Sequence, residues 1–135
     1  MKLPTQVELI TAALRMNSRF VISQYFGQDW YKKGDPRQLL QLTYNDFREW
    51  ALLHGIPGST LIEGTWGGHE HYVISEHEPE WWVGYAERGE ATLVSKHPTL
   101  SDAREAVLKD LWELYESAGN PSHWVGGVPA GSPYA

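Results

Sequence analysis

Three short runs between His71 and Lys96 constrain this chain more than any other stretch of it. "HYVISEH" and "EWWVGYAE" are joined through Glu78-Pro79. Arg88-Gly89 then gives a tight-turn signal, and "EATLVSK" follows. β-branched and aromatic residues in runs of seven or eight, punctuated this way, predict strands. The three together predict an antiparallel meander. Strand neighbours point to opposite faces, so Trp81 and Trp82 cannot share one. Trp81 is in phase with Val83 and Tyr85, which assigns it to the core. Trp82 is in phase with Gly84 and Ala86, which assigns it to the open face.

Helices are predicted on both sides of the meander. Thr5 and Glu8 form a capping box, and Val7, Ile10, Ala13 and Leu14 fall on one face of a helix over about residues 6–17. "RFVISQYF" alternates in period two and reads as a further strand. Asp35 before Pro36 suits the cap of a short turn over "RQLLQL". Thr43 and Asp46 cap a middle helix over about 44–54, which Gly55 and Pro57 end. Thr99 caps the last helix, whose apolar positions run from Ala103 to Ala118. The tail "GNPSHWVGGVPAGSPYA" holds four glycines and three prolines and predicts no regular structure. The expected architecture is α+β: an antiparallel sheet of about four strands, with N-terminal, middle and C-terminal helices packed on one face. A single domain is expected over residues 1–118, with a tail over 119–135.

Charge is concentrated where the meander lies. The chain carries 11 Lys and Arg against 17 Asp and Glu, a net charge of −6. Residues 1–62 hold seven basic and five acidic groups, or +2, and residues 91–135 hold three and five, or −2. Residues 63–90 hold seven glutamates and one arginine, or −6, so the flanks cancel and the acidity belongs to this segment. Dense negative charge repels nucleic acid and anionic lipid, and attracts a basic partner. Seven tryptophans and seven tyrosines are many for 135 residues, and such side chains dominate binding hot spots. The absence of cysteine removes disulfides, thiolate metal sites and a cysteine nucleophile. The first twenty residues contain no uninterrupted apolar run, so a cytoplasmic protein with no membrane partner is expected.

"GGHEHYVISEHEPEWW" also invites a metal reading. His69 and His71 project from one face if both lie on a strand, and Glu76 or His77 adds a third donor for zinc, iron or manganese. His-x-His followed by Glu76 resembles the first metal motif of the cupin barrels. That motif's flanking glycines would stand at Glu63 and Val83, whereas here they are Gly64 and Gly84, and its second motif is missing. The glutamates also offer carboxylate pairs of the kind glycoside hydrolysis uses, but the chain has little material for cleft walls. No phosphate-binding glycine loop and no serine elbow occurs. A binding surface uses the features together. Glu70, Glu76, Glu78, Glu80 and Glu87 meet the cations of a partner, Arg88 sits among them, and Trp66 and Trp82 anchor the contact. On this reading no residue is catalytic, no metal or other cofactor is held, and the His69/His71/Glu76 metal site is the alternative.

From Trp81 or Trp82, through Ala86-Glu87-Arg88-Gly89, to the helix from Ala106 to Tyr115, the chain resembles bacterial immunity proteins of polymorphic toxin systems. The likeness is to the immunity partners of NAD-hydrolysing toxins and spans about residues 71–118. It implies a small cytoplasmic inhibitor that binds a cognate toxin domain, covers its active site and performs no chemistry of its own.

Overall fold

The computed structural model describes residues 3–27 and 42–117, and the two stretches divide between two compact units. One unit comprises residues up to Trp50 and from Trp112 onward, and the other runs from Ala51 to Leu111. The Asp35-Pro36 turn and the tail beyond Ser117 lie outside the described residues.

The first unit is helical. α1 spans Gln6–Leu14, and both halves of its capping box form: Glu8 N donates to Thr5 Oγ1 at 3.1 Å, and Thr5 N donates to Glu8 Oε1 at 3.2 Å. It ends sooner than the predicted residue 17. Met16 adopts a left-handed φ of 58°, and Asn17 N turns back to Ala12 O at 3.0 Å, which satisfies the last carbonyls. α2 spans Ser18–Phe26, where the alternating pattern predicted a strand. Its two buried residues, Ser18 and Ile22, are four apart, as a helix requires, while Phe20 is 62% exposed. A helix supplies its own backbone partners, whereas a strand needs a neighbour. Gly27, at φ 89°, closes it through a bond from its N–H to Ser23 O. Tyr25 donates to Glu8 across the two helices. α3 spans Tyr44–His54 with the expected Thr43/Asp46 reciprocal cap. Within this unit Phe47, Trp112 and Tyr115 form an aromatic cluster with ring centroids 5.0–5.6 Å apart.

The second unit is built on a four-stranded sheet in the order β1-β2-β3-β4. β2 (His71–His77), β3 (Glu80–Glu87) and β4 (Glu90–His97) form the predicted antiparallel meander, with the Glu78-Pro79 peptide cis. The expected strand number is met by a different strand. β1 (Leu61–Glu63) comes from the glycine-rich stretch and pairs parallel with β2, so the sheet is mixed and not purely antiparallel. The last helix, α4, spans Leu100–Glu116 with the Thr99 cap.

Register assigns each side chain a face. Leu61, Tyr72, Ile74, Val83 and Tyr85 share one face, and Tyr72, Ile74 and Val83 are buried. On that side Glu63 of β1 accepts a bidentate pair from Arg104 of α4, both bonds 2.7 Å long. Leu61 and Glu63 line a cavity of about 380 Å³ with Ala51, Leu52, Arg104 and Leu108. The other face carries Val73, Gly84 and Ala86, which are buried as well. This is the face the alternation left open. It is covered in its middle by the segment from Gly64 to Glu70 that links β1 to β2, here called the strap.

The strap fits because its floor is glycine where the indole lies. A Cβ on Gly84 would stand 2.6 Å from Trp66 Cη2, so glycine there makes room for the indole. The strap is then fastened at its far end. Gly89 N donates to Gly68 O at 2.9 Å, and Glu70 N donates to Ala86 O at 2.6 Å. Gly68 has φ 133°, and a Cβ there would lie 2.1 Å from the His71 ring.

Candidate functional site

The eight residues proposed to meet a partner do not share one face. Seven of them gather at the two ends of the meander, about 20 Å apart along β2, and the eighth, Trp66, lies over Gly84 between those ends. Glu70, Glu87 and Arg88 lie at the strap end, where the Gly68–Gly89 and Glu70–Ala86 bonds bring strap and hairpin together. Tyr85 registers their charge: burial, then Glu87, then Glu70 push its phenol above the ordinary range. Glu76, Glu78, Glu80 and Trp82 lie at the turn end, around the cis Pro79. There Glu76 shares a face with Trp81, and Glu80 shares the opposite one with Trp82.

The two tryptophans chosen as anchors do meet, but each covers the other. Trp66 and Trp82 rings are 5.9 Å apart at 69°, edge to face. Trp82 is half-buried, and its Nε1 is shielded from solvent without a hydrogen-bond partner among the described residues. Its face assignment stands, while its expected openness does not. Trp81, assigned to the core, is on the expected face with Val83 and is half-buried.

Two neighbours of Trp82 were not singled out as contact residues by the sequence. His77 stacks on its ring at 3.9 Å and 12°, with Trp66 edge-on to the imidazole at 5.3 Å. Lys96 Nζ lies 4.8 Å from the Trp82 centroid, within cation–π range. The reason Lys96 escaped notice is a β-bulge. Counting back from the Glu87↔Glu90 pair without an irregularity puts Lys96 opposite Trp81. The register shift between Val83 and Gly84 moves it opposite Trp82 and puts His97 opposite Trp81.

The turn end is electrostatically strained. The neighbouring Glu78, through hydrogen bonding first and then through its charge, raises the Glu76 carboxyl above its ordinary range. Glu63 is the contrast. Its bonds to Arg104 hold its carboxyl below the ordinary range, so that glutamate is neutralised within the chain.

The metal constellation does not assemble. β2 begins at His71, and Glu70 before it has φ 55°, so His69 is off the strand and the two histidines lose the expected phase. His71 is buried with Nδ1 3.1 Å from Tyr72 O, and Glu76 lies on the other face at the other end of the strand. Among the described residues no group of three or more His, Asp or Glu side chains is placed to hold a metal ion. No helix among them is long and apolar enough to cross a membrane.

No family model, curated protein or solved structure matches the chain.

Proposed function

We propose that this chain is a non-catalytic inhibitor, an immunity protein that binds the basic surface of a cognate toxin domain in the cytoplasm. One observation carries the reading: Glu76, Glu78 and Glu80 gather at the turn end, and Glu78 pushes the Glu76 carboxyl above its ordinary range. Carboxylates held close in this way gain from the approach of an external cation, because a guanidinium or ammonium between them removes their repulsion. Glu80 beside them and Glu70, Glu87 and Glu90 at the opposite end extend the same field along the meander. Such a field speeds encounter with a basic partner and selects against acidic ones. The tryptophans support the surface from beneath, keeping the strap and the turn end in fixed relation, which lowers the ordering cost of binding.

The test is to express the product of the adjacent reading frame alone and with this protein. The expected outcome is toxicity alone, its loss on co-expression, and a complex on size exclusion. A harmless neighbour, or a toxic one that forms no complex, rejects the proposal. Glu76→Gln with Glu78→Gln is expected to weaken the complex by about tenfold, read mainly as slower association at low salt.

A further inference from the structure

A second cavity, of about 590 Å³, belongs to the helical unit. It lies where the end of α1, the start of α2 and the end of α4 come together. Its volume suits one small organic molecule. Ala13, Met16, Phe20, Leu114 and Tyr115 supply its apolar wall. Phe20 is 62% exposed and Leu114 45%, so two large apolar side chains at this wall gain if a ligand covers them.

The polar side of the cavity is the start of α2. The helical ladder opens with Val21 N donating to Asn17 O at 3.3 Å, which leaves the amides of Ser18 and Phe20 without an acceptor among the described residues. Asn17 stands at the N-cap, and its side chain makes no capping bond. These groups carry the positive end of the helix dipole. Arg19 lines the same cavity, whose lining includes no aspartate or glutamate. Arg19 also has an interaction of its own within the chain, so it contributes here as charge on the rim.

Ser18 distinguishes this helix start from an ordinary one. The residue is only 7% exposed, yet its hydroxyl has no hydrogen-bond partner among the described residues. By contrast, Ser23 donates to Arg19 O at 2.8 Å and Ser117 donates to Leu114 O at 3.3 Å. A buried hydroxyl without a partner costs stability until something completes it. Unlike the indole nitrogen of Trp82, the Ser18 hydroxyl is not sealed from solvent, and the opening it faces is this cavity. An anionic oxygen brought into the cavity satisfies that hydroxyl and the neighbouring amides together.

We propose that this cavity binds a small oxyanion carried on an apolar body, either a phosphate monoester or a carboxylate. The oxyanion sits at the start of α2. There it accepts from the Ser18 hydroxyl, the Ser18 and Phe20 amides and the Asn17 carboxamide, with Arg19 balancing its charge. The apolar body lies along Phe20 and Leu114. The toxin-binding reading uses none of these residues, so either stands without the other.

The experiment titrates small probes onto the full chain and follows its amide resonances by NMR. The probes are phenyl phosphate, phenylacetate and the uncharged phenylacetamide, with inorganic phosphate and acetate as head groups that lack the ring. Phenyl phosphate or phenylacetate is expected to shift the amides of Ser18, Arg19 and Phe20, and whichever binds more tightly identifies the head group. Phenylacetamide is expected to bind about tenfold more weakly, for want of the charge. The bare head group is expected to bind about tenfold more weakly too, for want of the apolar contact. Ser18→Ala should weaken the tighter probe about fivefold, the effect of one hydrogen bond, without lowering Tm, because the hydroxyl has no partner to lose in the free protein. A lower Tm with unchanged affinity would show a serine that serves only the fold, and overturns the site. Arg19→Gln, at an exposed position, carries the test if Ser18→Ala disturbs the fold. It should weaken the anionic probes about threefold and leave phenylacetamide unchanged. Amides that stay still with every probe overturn the site. Phenylacetamide or a bare head group that matches the full probe overturns it as well.

Discussion

The two faces of the sheet are closed by opposite means. One is filled by large side chains, with Tyr72, Ile74 and Val83 buried on the side where Glu63 meets Arg104. The other is floored by Val73, Gly84 and Ala86 and covered by a seven-residue strap carrying one indole. The difference teaches that a short connection can do what a helix usually does. It can lie directly on a sheet when the floor is nearly flat and its own backbone bonds find partners at the sheet's end. The filled face depends on side-chain volume, whereas the strapped face depends on one vacancy, the missing Cβ of Gly84.

The largest expected effect tests the filled face. Ile74→Ala removes a fully buried side chain and should lower stability by about 3 kcal/mol in denaturant unfolding, with little further collapse to offset the cavity. A loss under about 1 kcal/mol would mean that this face is not the main core of the unit.

The next prediction addresses the strapped face. Gly84→Ala drives a methyl into Trp66 and should cost about 2 kcal/mol, with faster amide exchange at Glu70 and Gly89, whose bonds fasten the strap. In a Trp66→Ala background the same methyl meets no indole, so its cost should fall by about 1 kcal/mol in a double-mutant cycle. Strict additivity would show that the strap is not seated through this contact, and the contrast between the faces would dissolve.

The smallest effect comes from the ion pair flanking the filled face. Arg104→Ala should cost only about 0.5 kcal/mol near neutral pH, since both partners are substantially exposed. Its pH dependence is the sharper readout. The folded-state carboxyl of Glu63 is lowered, so its contribution is present above the unfolded value and fades as pH falls through the folded one. Glu76 runs the other way: its raised carboxyl favours the fold below the unfolded value, and that benefit is lost as pH rises through the folded one. In Arg104→Ala the acid-side loss belonging to Glu63 should disappear, while the Glu76 behaviour should remain.

The sequence by itself determined whatever local chemistry governs. Thr5, Thr43 and Thr99 marked three helix starts, because a capping hydroxyl needs only an amide three residues away. The turn at Arg88-Gly89 and the three alternating runs fixed the meander, and the separation of Trp81 from Trp82 followed from the pleat alone. Tertiary structure decided what depends on a distant neighbour. Residues 18–26 satisfy both periods over so short a run, and the burial of Ser18 and Ile22 settled them as a helix. β1 is three residues long and takes its identity from the partner β2. Trp66 became a lid because Gly84, eighteen positions later, lies beneath it. The glutamates were legible as a charged segment, but the phase of β2 and β3 divided them between faces and ends. The bulge at Val94, which no local residue announces, shifted the partners of Trp81 and Trp82 by one residue and set Lys96 over Trp82 and His97 opposite Trp81. A one-residue slip reverses every side chain beyond it, so the composition of this surface was written in the sequence and its arrangement was set by strand pairing.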